Sequence, residues 1–229
     1  MNKDEEARPV RIEIGGELGA VSGLLQAPRG QPRACYVFAH GAGAGMAHAF
    51  MAAVADGLAE RGIATLRYQF PYMERGSKRP DAPAIAHAAV RAAVAHALLE
   101  FAPLPLPLFA GGKSFGGRMS SQAQALSPMP GVQGLVFLGF PLHPAGKTST
   151  ERAKHLADVA CPMLFVQGTR DELADFESIK AVTAQLGPRA TLLEMAEADH
   201  SFHVLKRSGR TDEEVLRAVL DGVAGWMAR

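Results

Sequence analysis

Leu108–Ser121 reads LFAGGKSFGGRMSS: an apolar run, then two glycine pairs with a lysine and a single serine, Ser114, between them. The apolar run reads as a buried strand, and Phe115–Leu126 has the periodicity of a helix, so the glycines fall where strand gives way to helix. Three readings compete: a phosphate-binding loop, a nucleophile on a sharp turn, or a tight connection without chemistry. The phosphate loop needs a glycine five positions before the Gly-Lys-Ser element, and Pro107 stands there instead. The second glycine-rich stretch, HGAGAGMAH, misses the dinucleotide fingerprint, because Met46 or His48 occupies the position of its third glycine.

Gly112-Lys113-Ser114-Phe115-Gly116 does match G-x-S-x-G, with a strand before it and a helix after it. A serine on so tight a turn projects its hydroxyl beyond the sheet edge. The strained backbone crowds the positions two before and two after it, which therefore lack side chains. The helix that follows offers free N–H groups and the positive end of its dipole to a developing oxyanion.

The rest of the chain supplies the setting. Short β-rich runs are expected at Val10–Ile14, Val21–Leu25, Ala34–Ala39, Ile63–Tyr68, Leu106–Ala110, Leu135–Leu138, Met163–Gln167 and Thr191–Met195. Helical segments are expected at Ala47–Arg61, Ala84–Phe101, Phe115–Leu126, Phe176–Leu186 and Asp212–Met227. The middle strands are apolar almost throughout, which suits a parallel sheet buried on both faces, and the alternation implies a doubly wound α/β fold of about 7–8 strands. The first two runs precede any helix and are expected to form an antiparallel hairpin at one edge. Gln69–Pro83 and Phe140–Cys161 are the longest irregular stretches, too short for a large lid domain. The 229 residues, 48% of them hydrophobic, suit a single domain, with residues 1–9 a flexible tail. A formal charge of +1 argues against nucleic acid and anionic membranes as partners, and no apolar run spans a bilayer. Two cysteines, no C-x-x-C pair and a charged N-terminus point to a reduced, cytoplasmic life.

A serine hydroxyl needs a base, and the base an orienting acid. Both are expected after Ser114, just past strand ends, at the carboxyl edge where open α/β sheets build their sites. MLFVQG runs into Asp171, and TLLEM runs into ADHSF with His200. Glu172 and Asp175 are rival acids, and His203 is a rival base. A metal held by Asp199, His200 and His203 finds no second cluster to complete its ligands, so no metal or other cofactor is expected. His87 and His96 lie in an alanine-rich helix and read as packing or surface residues, and Cys35 reads as core. The loop His40-Gly41-Ala42-Gly43 is positioned to give a second oxyanion donor, by position the Ala42 amide, alongside that of Phe115. His40 reads as a brace of that loop.

Together, HGAGAG, RYQFPYM, GGKSFGGRMSS, FPLHPAGK, QGTRDEL and ADHSF resemble the bacterial α/β-hydrolases related to dienelactone hydrolase. These are grouped with the hydrolase-like domains of a testis-expressed protein and of a chromatin-complex subunit in animals. The resemblance runs from about Ala34 to the end of the chain. It implies the α/β-hydrolase fold without a large lid, and Ser114, Asp171 and His200 as a catalytic triad. Dienelactone hydrolase itself carries a cysteine nucleophile, from which Ser114 departs. The expectation is a serine hydrolase cleaving a small, ester-type substrate through an acyl-enzyme. Its rival is a non-catalytic protein-interaction domain on the same fold. Gly41, Phe70, Tyr72, Phe140 and His143 are candidate substrate contacts by loop position. Arg118, early in its helix, is expected to brace against a carboxylate or carbonyl cluster, or to meet a substrate anion. Lys113 is read as raising the local potential or snorkelling to solvent, and the basic loop of Arg75, Lys78 and Arg79 as solvated. The sequence carries no signal for oligomeric state.

Overall fold

The computed structural model describes residues 7–104 and 106–229. Eight strands form one sheet: β1 (Arg8–Glu13), β2 (Ala20–Gln26), β3 (Ala34–Ala39), β4 (Ile63–Tyr68), β5 (Leu108–Lys113), β6 (Val132–Leu138), β7 (Met163–Gly168) and β8 (Ala190–Met195). Their order across the sheet is β1-β2-β4-β3-β5-β6-β7-β8. The expected edge hairpin is present: β1 pairs antiparallel with β2, β2 pairs antiparallel with β4, and every later pairing is parallel.

Helices cover both faces, and the period-two alternation of the buried strands sorts their side chains between them. Cys35, Val37 and Ala39 of β3 face the side packed by α3 (Pro83–Glu100), α4 (Phe115–Leu126) and α5 (Phe176–Leu186). Ala34, Tyr36 and Phe38 face the side packed by α1 (Ala49–Ala59) and α6 (Asp212–Trp226). Strand β7 divides the same way, Met163 and Phe165 against Leu164 and Val166.

Several boundaries differ from expectation, among them the start of β6, at Val132 rather than Leu135. Strand β5 runs through both glycines to Lys113, because only residues without side chains fit there: a Cβ on Gly111 or Gly112 would overlap Val136 O or Ala39 O of the flanking strands. The two irregular stretches also hold short helices, α2 (Pro71–Glu74), with Pro71 in its first turn, and a 3-10 segment, Glu151–Asp158. Neither makes a lid. Arg8 and Pro9 belong to β1 rather than to a tail, and residues 1–6 of that expected tail lie outside the described residues. No helix among the described residues is long and apolar enough to cross a membrane.

Candidate active site

At the carboxyl edge of the sheet, β5 turns into α4 through Ser114, whose φ of 50° and ψ of −113° lie outside the ordinary regions for a residue with a side chain. The turn is held close against β3. A Cβ on Gly116 would stand 2.5 Å from Ala39 O, so the glycine two residues past the serine is required by contact with the neighbouring strand. The serine hydroxyl is thereby presented at the rim, part-buried, above the end of the sheet.

Loops after β7 and β8 bring the other two candidates to it. Ser114 Oγ lies 2.9 Å from His200 Nε2, and His200 Nδ1 lies 2.7 Å from Asp171 Oδ2. The network fixes the tautomer: Nδ1–H donates to the carboxylate, leaving Nε2 to accept the serine proton. The Asp171 side chain is wholly buried, whereas that of His200 is 22% exposed. Asp171 keeps its place by accepting from Leu173 N at 2.8 Å and from Gln167 Nε2 at 2.5 Å. Gln167, which sequence reading passed over, also accepts from Phe140 N at 2.9 Å. Its signal was present in MLFVQG, where it is the polar residue of a strand with every position buried.

The rival groups are occupied elsewhere. Glu172 is exposed, and Asp175 caps α5 by accepting from Ser178 N. His203 is directed to Asp212, which holds its pKa above the usual imidazole value. Asp199 ties its own loop, accepting from the amides of Ser201 and His203. Among the described residues no group of three or more His, Cys, Asp or Glu side chains is arranged to hold a metal ion.

The loop after β3 faces the serine from the other side. A Cβ on Gly41 would come within 3.9 Å of Ser114 Cβ, and the amides of Ala42 and Phe115 donate to no protein group among the described residues. His40 braces this loop as its sequence suggests. Its ring is fully buried, Nδ1 bonds Gly41 O at 2.7 Å, and Nε2 accepts from Phe70 N at 3.2 Å. Burial holds its pKa down to about 4, against the smaller opposing effect of the Gly41 carbonyl, so the ring is neutral.

A cavity of about 370 Å³ opens over Ser114 and His200, with Gly41, Ala42, Ala44, Phe50, Met51 and Leu173 among its walls. Of the candidate substrate contacts, Gly41 alone is on this wall. Phe70 and Tyr72 are instead buried in an aromatic group with Phe115, the Tyr72 hydroxyl accepting from Gly43 N at 3.1 Å. Phe140 packs on Phe137 and Phe165 in the core, and His143 is engaged with Pro144 O and Asp175 N. Loop position gave their neighbourhood, but their side chains turn inward, because apolar rings at a strand end bury more surface beneath the loop than on it. Phe50 and Met51 lie on α1, which no motif marks, and Leu173 ends the QGTRDEL stretch that carries Asp171. A larger opening of about 650 Å³ lies at the opposite edge of the sheet, around Arg33, Pro107 and Trp226, remote from these groups.

Among the described residues no carboxylate forms an ion pair with Arg118. Its guanidinium lies 5.7 Å from the centre of the Phe115 ring, and its Nε has no hydrogen-bond partner among the described residues. Arg75 is bound to Asp81 at 2.5 Å and is not a free cation.

The family model for an alpha/beta hydrolase domain matches residues 32–228. Among solved structures, a serine hydrolase without a lid from Xanthomonas campestris superposes with a TM-score of 0.74 at 23% identity, over 96% of this chain and 95% of that one. The dienelactone hydrolase of Anabaena variabilis superposes with a TM-score of 0.76 at 20% identity, over 97% and 98%. A serine hydrolase homologue from Coxiella burnetii gives 0.71 at 23% identity, over 95% and 97%. At these identities the likeness is one of fold.

Proposed function

The chain belongs to the alpha/beta hydrolase domain family, and on that premise we propose that it is a serine hydrolase cleaving small ester-type substrates through an acyl-enzyme. One observation carries the reading: a serine on a strained turn is hydrogen-bonded at 2.9 Å to a histidine whose far nitrogen is bonded at 2.7 Å to a buried carboxylate. A purely structural role makes no demand for that line of three.

His200 Nε2 takes the Ser114 proton as Oγ attacks the substrate carbonyl carbon, and Asp171 holds the imidazole tautomer and balances its charge while it is protonated. The carbonyl oxygen, now negative, is met by the Ala42 and Phe115 amides, the latter at the start of α4 where the helix dipole adds to it. Collapse expels the alcohol, which leaves with the proton from His200. Water activated by His200 then attacks the acyl-serine, and the acid departs with Ser114 restored. No step calls for a metal or organic cofactor. The walls favour a small group: Phe50, Met51 and Leu173 are apolar and Ala42 and Ala44 small, with His48, Lys113 and Ser201 the polar residues of the lining beside Ser114 and His200, which suits a compact acyl or alkyl group.

The test is intact-mass spectrometry after treatment with a fluorophosphonate. A single adduct mapped to Ser114 is expected, absent in Ser114→Ala and formed on the order of 10³-fold or more slowly in His200→Ala. No adduct on the folded wild-type protein would sink the hydrolase reading and favour an interaction domain on this fold.

A further inference from the structure

Lys113 stands immediately before Ser114 and takes no part in the steps above. Its backbone is the last residue of β5, paired with Leu138. Its Nζ donates to the carbonyl oxygen of His200 at 2.6 Å and lies 5.4 Å from the centre of the Phe202 ring. Gly139 keeps this space open: a Cβ there would stand 2.9 Å from Lys113 Nζ and 3.3 Å from Cε1 and Nδ1 of His200. The ammonium and the imidazole therefore lie side by side over Gly139, and Lys113 lines the same cavity as Ser114 and His200.

The loop carrying His200 is otherwise tied to itself, to the segment after β7, and to the start of α6, where Asp212 accepts from Val204 N and bonds His203 Nδ1. Asp199 Oδ1 accepts from two amides of the loop, Ala198 bridges to Val204, and Arg170 N donates to Ala198 O at 2.9 Å. Apart from the Ser114–His200 bond itself, the Lys113 bond is the one among the described residues that joins this loop to the strand bearing the serine. We propose that Lys113 is a positioning residue: its ammonium pins the His200 carbonyl to the end of β5, and so fixes the imidazole between Ser114 and Asp171. For its effect on turnover the inference rests on the hydrolase reading; for the geometry it does not.

An ammonium suits this task because a charge-assisted bond to a carbonyl is short and strong, and the Phe202 ring adds a cation–π contact. The charged groups facing it are Asp171 from the loop after β7 and Asp199 from the histidine loop, and both favour the charged form. Burial outweighs them and brings its pKa down to about 8. Below that value the ammonium holds the carbonyl. Above it a neutral amine remains, a weaker donor, and the imidazole loses its fixed position.

The experiment compares wild type with Lys113→Met, which keeps the length and the contact with Phe202 but removes the donor. The first readout is the far-downfield proton NMR signal of His200 Nδ1–H bonded to Asp171, and the second is the rate of Ser114 phosphonylation against pH. The wild-type signal is expected to fade above pH about 8. In folded Lys113→Met it is expected to be lost or broadened at every pH, with phosphonylation about tenfold slower and no alkaline limb near that value. A variant that keeps the wild-type signal and rate across the range overturns the proposal. If Lys113→Met does not fold, Lys113→Leu takes its place at pH 7, and a folded variant with the wild-type signal and rate overturns the proposal. Absence of labelling in wild type would instead strike the hydrolase reading, while the NMR signal would still report whether Lys113 places the imidazole.

Discussion

Gln167 has no exposed surface, and both ends of its amide are used at the site: Nε2 donates to Asp171 and Oε1 accepts from the Phe140 amide. Its replacement by leucine would keep the bulk but leave that amide unpaired inside the protein and free one side of the carboxylate. Gln167→Leu is expected to lower unfolding free energy by about 1–3 kcal/mol, read by urea titration. Because Asp171 then loses a fixed position, kcat is expected to fall on the order of ten- to a hundredfold with KM little changed. A variant that lost stability alone would make Gln167 a structural residue. At this scale, what the sequence revealed follows from how local the rule is. Ser114 sits in a motif whose glycines are dictated by contacts within a few residues, and Asp171 and His200 each follow a recognisable strand. Gln167 acts through a residue four positions on, and Phe70, Tyr72, Phe140 and His143 are oriented by packing against distant rings, which no local pattern encodes.

The elbow depends on two elements approaching more closely than side chains permit. Gly116→Ala would set a Cβ against Ala39 O, C and Cβ, between 2.5 and 2.7 Å, where the obstacle is backbone and cannot rotate aside. Helix α4 must then lift from β3, and the Phe115 amide moves with it. The expected loss is about 1–3 kcal/mol of unfolding free energy, with phosphonylation of Ser114 strongly slowed. Gly225→Ala in α6 is the control, since nothing lies within 4 Å of its added carbon. There the alanine is expected to stabilise by up to about 1 kcal/mol and to leave labelling unchanged. If both substitutions behaved alike, the close approach would not be what holds the elbow. Long, periodic elements were legible almost to the residue, as Phe115–Leu126 and Phe176–Leu186 illustrate. Helix α2 was not, because four residues complete one turn and leave no periodicity to detect. Strand β5 extended further than its composition suggests because glycine, poor for a strand in isolation, is the residue that lets three strands close together there.

Across the whole molecule, the doubly wound order gathers the ends of β3, β5, β7 and β8 along one edge, so groups as distant in sequence as Gly41 and His200 meet around Ser114. The same burial gives the fold an acid limit. His40 is held neutral with its pKa down to about 4, and His155, part-buried beside Arg118, is likewise held to about 4. Between those values and the ordinary 6.5 the unfolded chain binds protons that the folded one refuses, so stability is full above 6.5 and declines as pH falls toward 4. For His40, fully buried, the loss amounts to about 3 kcal/mol at most. His203 runs the other way, since Asp212 raises its pKa and that contribution fades as pH rises, but it is a surface pair and a weak one. Urea titrations at a series of pH values are expected to show a plateau near neutrality and a steep fall on acidification. His40→Gln, unable to bond both Gly41 O and Phe70 N, is expected to be less stable at neutrality yet to fall less steeply below pH 6.5. A slope in the variant equal to that of wild type would move the acid limit from this histidine to His155, or at lower pH to carboxylates such as Glu74 and Asp175, whose pKa values the fold holds down.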